Sequence, residues 1–139
     1  MISMITFSYS LLWDIKWSIR NNKNKVFLNS IKVVVFPFKI NNIFTVYKAL
    51  KSAKRYNFSK DIKVYFLTSG TTGAYTYPNK IFICPVEIHK FGGLERVLSH
   101  ELAHLELGSE VEKLTHQEKE KRVHEIEISI KNLLLNNKQ

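Results

Sequence analysis

Cysteine is almost missing from this chain: Cys84 is the only one in 139 residues. A lone thiol excludes an internal disulfide and a thiolate cluster around a metal, and it fits a cytoplasmic protein. Long apolar runs are missing as well. No stretch of about 18 apolar residues occurs, so no segment is expected to span a bilayer. Residues 1–20 carry Asp14, Lys16 and Arg20 and have no small-residue cleavage site, so they do not read as a signal peptide. Proline and glycine never gather into a linker and no repeat is visible, which predicts one domain over residues 1–139.

What remains is a globular composition, 45% apolar and 24% charged. The net charge is +9, spread along the sequence. Lysine used for solubility explains such a spread, although a basic surface also attracts nucleic acid or an acidic partner. Phe7, Leu11, Ile15 and Ile19 recur every four residues and predict a first amphipathic helix. Residues 26–28 and 31–36 are β-branched and aromatic and read as strands. Asn42 is expected to cap a helix reaching Tyr56, with Val46, Leu50 and Ala53 inward and Lys48, Lys51, Lys54 and Arg55 outward. Residues 62–68 read as a strand and 69–73 as a turn. Residues 74–77 and 80–84 read as a hairpin around Pro78-Asn79. Two helices follow, Leu94–Leu107 stopped by Gly108, then 117–136. Strands in the middle and two helices at the end predict an α+β fold.

His100, Glu101 and His104 form an HExxH motif. Residues four apart share a helix face, so both imidazoles can reach one metal ion, and the intervening glutamate lies beside them, where it can act on a water. The setting favours zinc. Leu94, Leu98, Leu102 and Leu105 form one apolar face, and Val97, Ala103 and Leu107 a second sector. The histidines lie between them, away from a wet strip of Glu95, Ser99 and Glu106. A catalytic zinc needs a third protein ligand and an open position. The last helix offers His116, Glu118, Glu120, His124, Glu125 and Glu127. Glu127 lies among Val123, Ile130 and Leu134, where a carboxylate is costly to bury unless paired or metal-bound. It is the expected third ligand. Glu120 shares that face two turns nearer the helix start, and Glu125 points away.

The stretch from Ser99 through His100-Glu-Leu-Ala-His104 to Gly108 resembles the motif helix of small gluzincin peptidases, the ImmA/IrrE-like group above all. Glu125-Ile126-Glu127-Ile128 matches the Glu-x-Glu part of that group's second helix, and Gly73-Ala-Tyr with Lys80-Ile-Phe-Ile-Cys84 resembles its hairpin. The resemblance covers about half the chain, from Ile62 to Leu134, and leaves the first 60 residues unassigned. Ile128 departs from the small residue usual after the ligand, and Glu106 from an apolar one. The resemblance implies a minimal zincin-like domain, a small twisted sheet packed against the motif helix and a ligand-bearing helix, with a zinc ion on His100, His104 and Glu127. A weaker resemblance to DNA-associated SprT-like proteases would make His116 or His124 the third ligand.

The expected activity is hydrolysis of a protein or peptide substrate by a zinc-activated water, with Glu101 as general base. Residues 80–84 are the candidate edge strand for holding an extended peptide. Tyr75 or Tyr77 is a candidate oxyanion donor, although hairpin aromatics more often pack on the sheet. The rival from another class is a non-catalytic zinc-binding or interaction protein.

Overall fold

The computed structural model describes residues 2–21 and 40–137. The strands expected at 26–28 and 31–36 lie outside the described residues. The fold is α+β. Strand β1 (Met4–Tyr9) leads into α1 (Leu11–Asn21), and α2 (Ile40–Ser52) into β2 (Tyr56–Asn57) and β3 (Ile62–Phe66). The hairpin β4 (Gly73–Thr76) and β5 (Lys80–Ile83) follows, then α3 (Leu94–Leu107) and α4 (His116–Asn136). The sheet order is β2-β1-β3-β5-β4, parallel from β1 to β5 and antiparallel at both edges.

Strand alternation sorts the side chains onto two faces. Ile62, Val64, Phe66, Ile81 and Ile83 meet Val97, Leu98 and Leu102 of α3, with α2 and α4 completing that core. Tyr65, Ala74 and Phe82 face the opposite way, onto Trp13 and Trp17 of α1. The two tryptophan rings lie 4.8 and 5.2 Å from Phe82.

Three expectations change here. The four-residue spacing that began at Phe7 is not one helix. Phe7 belongs to β1 and stacks on Phe66 at 5.4 Å, and α1 begins only at Leu11. The buried side of α1 is Asp14, Trp17 and Ser18, whereas Leu11 and Ile19 are exposed. An aromatic pair four apart has more area to bury than the aliphatics beside it, so it sets the packed face. The second change is at residues 80–84. They form the inner strand β5, and the edge belongs to β4. Third, α2 stops at Ser52, and Tyr56 is a buried strand residue. Val46 is buried as expected, Leu50 and Ala53 pack on the core, and the four basic residues are exposed.

Asp14 ties α1 to the end of β3. Its carboxylate accepts from the Thr68 backbone N–H at 3.1 Å, the Thr68 hydroxyl at 2.6 Å and the Tyr9 hydroxyl at 2.8 Å. Asn42 donates to the Thr68 carbonyl at 2.9 Å, which ties α2 to the same point. Asp14→Ala should therefore lower unfolding stability by about 1.5–3 kcal/mol, the range for hydrogen bonds to a charged group. Leu12→Ala, at a side chain 61% exposed on the same helix, should stay within about 0.5 kcal/mol. Urea unfolding of the two variants checks the contrast, and equal effects would contradict it.

Candidate metal centre

Helix α3 is the 14-residue element expected, and Gly108 ends it in the left-handed region at φ 74°. Leu98, Leu102 and Leu105 are buried as the first apolar face, and Val97 and Ala103 as the second. Ser99 departs from its expected wet strip and is fully buried, its hydroxyl donating back to the Arg96 carbonyl at 3.0 Å. Glu106 is exposed and pairs with Lys60 at 3.4 Å. Helix α4 starts one residue earlier than expected, at a capping box in which Thr115 and Glu118 satisfy each other's backbone donors. Val123, Glu127, Ile130 and Leu134 form its buried face. Ile128 is exposed and lies outside that buried face.

A short connection makes α3 and α4 antiparallel neighbours, so the end of α3 meets the start of α4. The Nε2 atoms of His100 and His104 come within 3.3 Å of each other. The Glu120 carboxylate lies 3.7 Å from each of them, through Oε2 and Oε1 respectively. All three donor sets fall within 4.8 Å of one another. Ligands about 2.0–2.1 Å from a tetrahedral zinc stand roughly 3.3–3.5 Å apart, so this spacing fits one small divalent ion.

Glu127 is buried, as its apolar neighbours predict, but it does not join that trio. Its Oε2 lies 3.4 Å from Nδ1 of His100, the ring nitrogen on the opposite side from the cluster. One imidazole cannot turn both nitrogens to the same ion. Glu127 instead stands where a carboxylate can orient the His100 ring through Nδ1, with Nε2 turned towards His104 and Glu120. Arg96 lies 3.7 Å from its other oxygen, and His124 Nδ1 3.7 Å from Oε2. Glu125 is exposed, and so are His116 and His124.

Glu101 is 7% exposed. Burial, then the charges of Glu120 and Glu127, push its carboxyl up to about 8 when no cation is bound. His104 goes the other way. Burial and the neighbouring His100 lower it to about 4, which keeps its imidazole neutral and its lone pair available near pH 7. The Tyr75 ring stacks on His104 at 4.5 Å, and its hydroxyl donates to Glu112. The Tyr77 hydroxyl lies 2.9 Å from the Gly108 carbonyl and 3.2 Å from that of His104. Both tyrosines thus brace the end of α3, and Lys119 holds Glu112 in place at 2.7 Å.

Gly73 crosses above Glu101. A Cβ there would stand 2.5 Å from Glu101 Oε1 and 2.9 Å from Val97, so a side chain would displace the carboxylate. Cavities of about 540 and 500 Å³ open on either side and share Gly73, His100 and Glu101 as walls. Together they make one cleft beneath β4. No protein-family model, curated protein or solved structure matches the chain, so what this centre can do rests on its own geometry.

The Glu101 shift has a sign that can be tested on chelator-treated protein. The folded state holds this proton to higher pH than the unfolded chain, whose glutamates titrate at about 4.3. Its stability is then greatest below that value, falls as pH rises towards 8, and levels off above. Glu101→Gln removes the titrating group, so the variant should gain on wild type by on the order of a few kcal/mol between pH 5 and 8. Parallel stability profiles for the two proteins would contradict the buried, cation-free carboxyl.

Proposed function

We propose that the chain is a zinc-dependent metallopeptidase, with His100, His104 and Glu120 as protein ligands and Glu101 as general base. The observation that carries this reading is the convergence of two imidazole nitrogens and one carboxylate beside a buried glutamate, on the floor of a cleft. Two imidazole nitrogens with one carboxylate suit zinc, whereas calcium and magnesium favour all-oxygen sites. The resemblance of residues 99–108 to gluzincin motif helices agrees with it. The third-ligand assignment moves from Glu127 to Glu120, on the distances given above.

A zinc ion held there would supply Lewis acidity towards a peptide carbonyl. The chain's own part begins with the substrate strand. Thr72 and Cys84 form a hydrogen-bonded pair in the hairpin, with the Cys84 N–H donating to the Thr72 carbonyl at 3.2 Å. Hydrogen-bonded pairs alternate along an antiparallel ladder, so the main-chain groups of Gly73 and Tyr75 face the free edge of β4. An extended peptide adding there lies across the cleft. Glu101 accepts a proton from the attacking water and delivers it to the leaving amine. Glu127 holds His100, and Tyr75 holds His104.

Purified protein should carry one zinc per chain by elemental analysis. Glu101→Gln should keep that zinc yet lose about 10²–10⁴-fold in peptide cleavage, the usual contribution of a general base. Glu127→Ala should weaken zinc binding about 10–100-fold, as loss of an outer carboxylate does, and Glu120→Ala should weaken it further. Chelator competition ranks the two. The ligand assignment fails if Glu127→Ala strips the ion while Glu120→Ala retains it, and the mechanism fails if Glu101→Gln cleaves at the wild-type rate.

A further inference from the structure

We infer that the face of the cleft formed by α1 is a binding subsite for an acidic side chain of the substrate, with Arg20 as its charged contact. The inference rests on the peptidase reading and adds a substrate class to it.

The second cavity is not confined to the metal face. It runs from His104, Tyr75 and Lys119 around the edge of β4 to Ala74, Trp17 and Arg20. It therefore joins the two faces of the sheet at the β4 edge, where the proposed peptide adds. Along β4 the odd residues point to α3. The absent side chain of Gly73 would meet Glu101, and Tyr75 stacks on His104. Ala74 points the other way, into the cluster that holds Trp17 and Phe82.

A strand pairing with β4 shares its pleat, so its side chains alternate between the same two faces. Those opposite Gly73 and Tyr75 lie on the metal face. The one opposite Ala74 turns towards α1, where the Arg20 guanidinium sits 4.8 Å from the centre of the Trp17 ring. Each peptide that adds at this edge must place one side chain in that part of the cavity.

The cations that line the two cavities differ in one respect. Lys90 pairs with Glu87 at 3.3 Å, Arg96 lies 3.7 Å from Glu127, and Lys119 pairs with Glu112 at 2.7 Å. Arg20 alone among these four has no carboxylate within ion-pair distance among the described residues. Residues 22–39, which follow it in sequence, contain no Asp or Glu. The ring beneath the guanidinium takes none of its hydrogen bonds, so among the described residues the N–H fork is left for a ligand. A carboxylate accepts two parallel hydrogen bonds from that fork. Lysine or arginine in the substrate would be repelled, and a neutral side chain would leave the fork unsatisfied.

The test uses zinc-loaded full-length protein and internally quenched peptides that carry Glu, Gln or Lys at each position in turn. Wild type should prefer Glu at one position by tenfold or more in kcat/KM. Arg20→Ala should lower the Glu-to-Gln ratio to near one, Arg20→Lys should restore part of it, and Arg20→Glu should turn the preference to Lys. Zinc content and thermal unfolding report whether each variant stays folded. A second arm measures binding of fluorescein-labelled versions of the same peptides to zinc-loaded Glu101→Gln protein. Cleavage with no acidic preference, or with a preference that Arg20→Glu leaves in place, overturns the subsite and keeps the peptidase. Glu-selective binding that depends on Arg20, without cleavage by wild type, supports the subsite and counts against the peptidase. Neither cleavage nor selective binding overturns both.

Discussion

Two glutamates, Glu101 and Glu127, are buried where the last two helices pack largely through leucine, valine and isoleucine, and Glu120 closes on the same spot. Like charges brought this close, two of them with little access to water, are costly for a small protein to hold. The surrounding cations do not answer the whole demand. Arg96 reaches one oxygen of Glu127 at 3.7 Å, and Lys119 is held by Glu112. Without a further cation, Glu101 keeps its proton up to about 8. A divalent ion among His100, His104 and Glu120 would remove that need, and would return Glu101 to the ionised form a general base requires. The same burial that makes the site costly when empty is what would make it reactive when filled.

The motif helix was legible in the sequence to the residue, because the apolar spacing and Gly108 agree on its face and its end. The hairpin was legible too, since Pro78-Asn79 separates two short apolar runs. Strand order was not fully legible. The unbroken apolar run Ile81-Phe82-Ile83, buried on both faces, is the local sign that β5 lies inside, and the hairpin alone does not say which strand it docks on. Nor was the start of the chain: Phe7 and Leu11 fit one helical face as well as they fit a strand followed by a helix.

Glu120, the carboxylate nearest both Nε2 atoms, shows what the sequence held and what it left open. Burial on an apolar face correctly singled out Glu127 as a carboxylate needing a partner. It could not tell a partner from a ligand. Turn counting could have done so. The connection after Gly108 is short, so α3 and α4 must be antiparallel, and positions equally far from it face each other. His104 lies three residues before the end of α3, and Glu120 four after the start of α4. Glu127 lies two turns further along and falls opposite Arg96 and His100.

The net charge of +9 takes on a more local meaning once the sheet edge is placed. The basic residues of α2 are exposed, and Lys51 lies 5.0 Å from the Tyr47 ring, an arrangement that ordinary solvation explains. The cleft is different. Its carboxylates, Glu101, Glu112, Glu120 and Glu127, are turned to the metal centre or to its bracing. Four cations line the same walls, so a bound divalent ion leaves the cleft net positive. An acidic chain would then be drawn in by the field before any contact forms. The contact that reads it needs a cation that the site itself has not already paired. Among the described residues Arg20 meets that condition, because α1 lies across the sheet from the glutamates, and Gly73, with no side chain, leaves the edge between the two faces open.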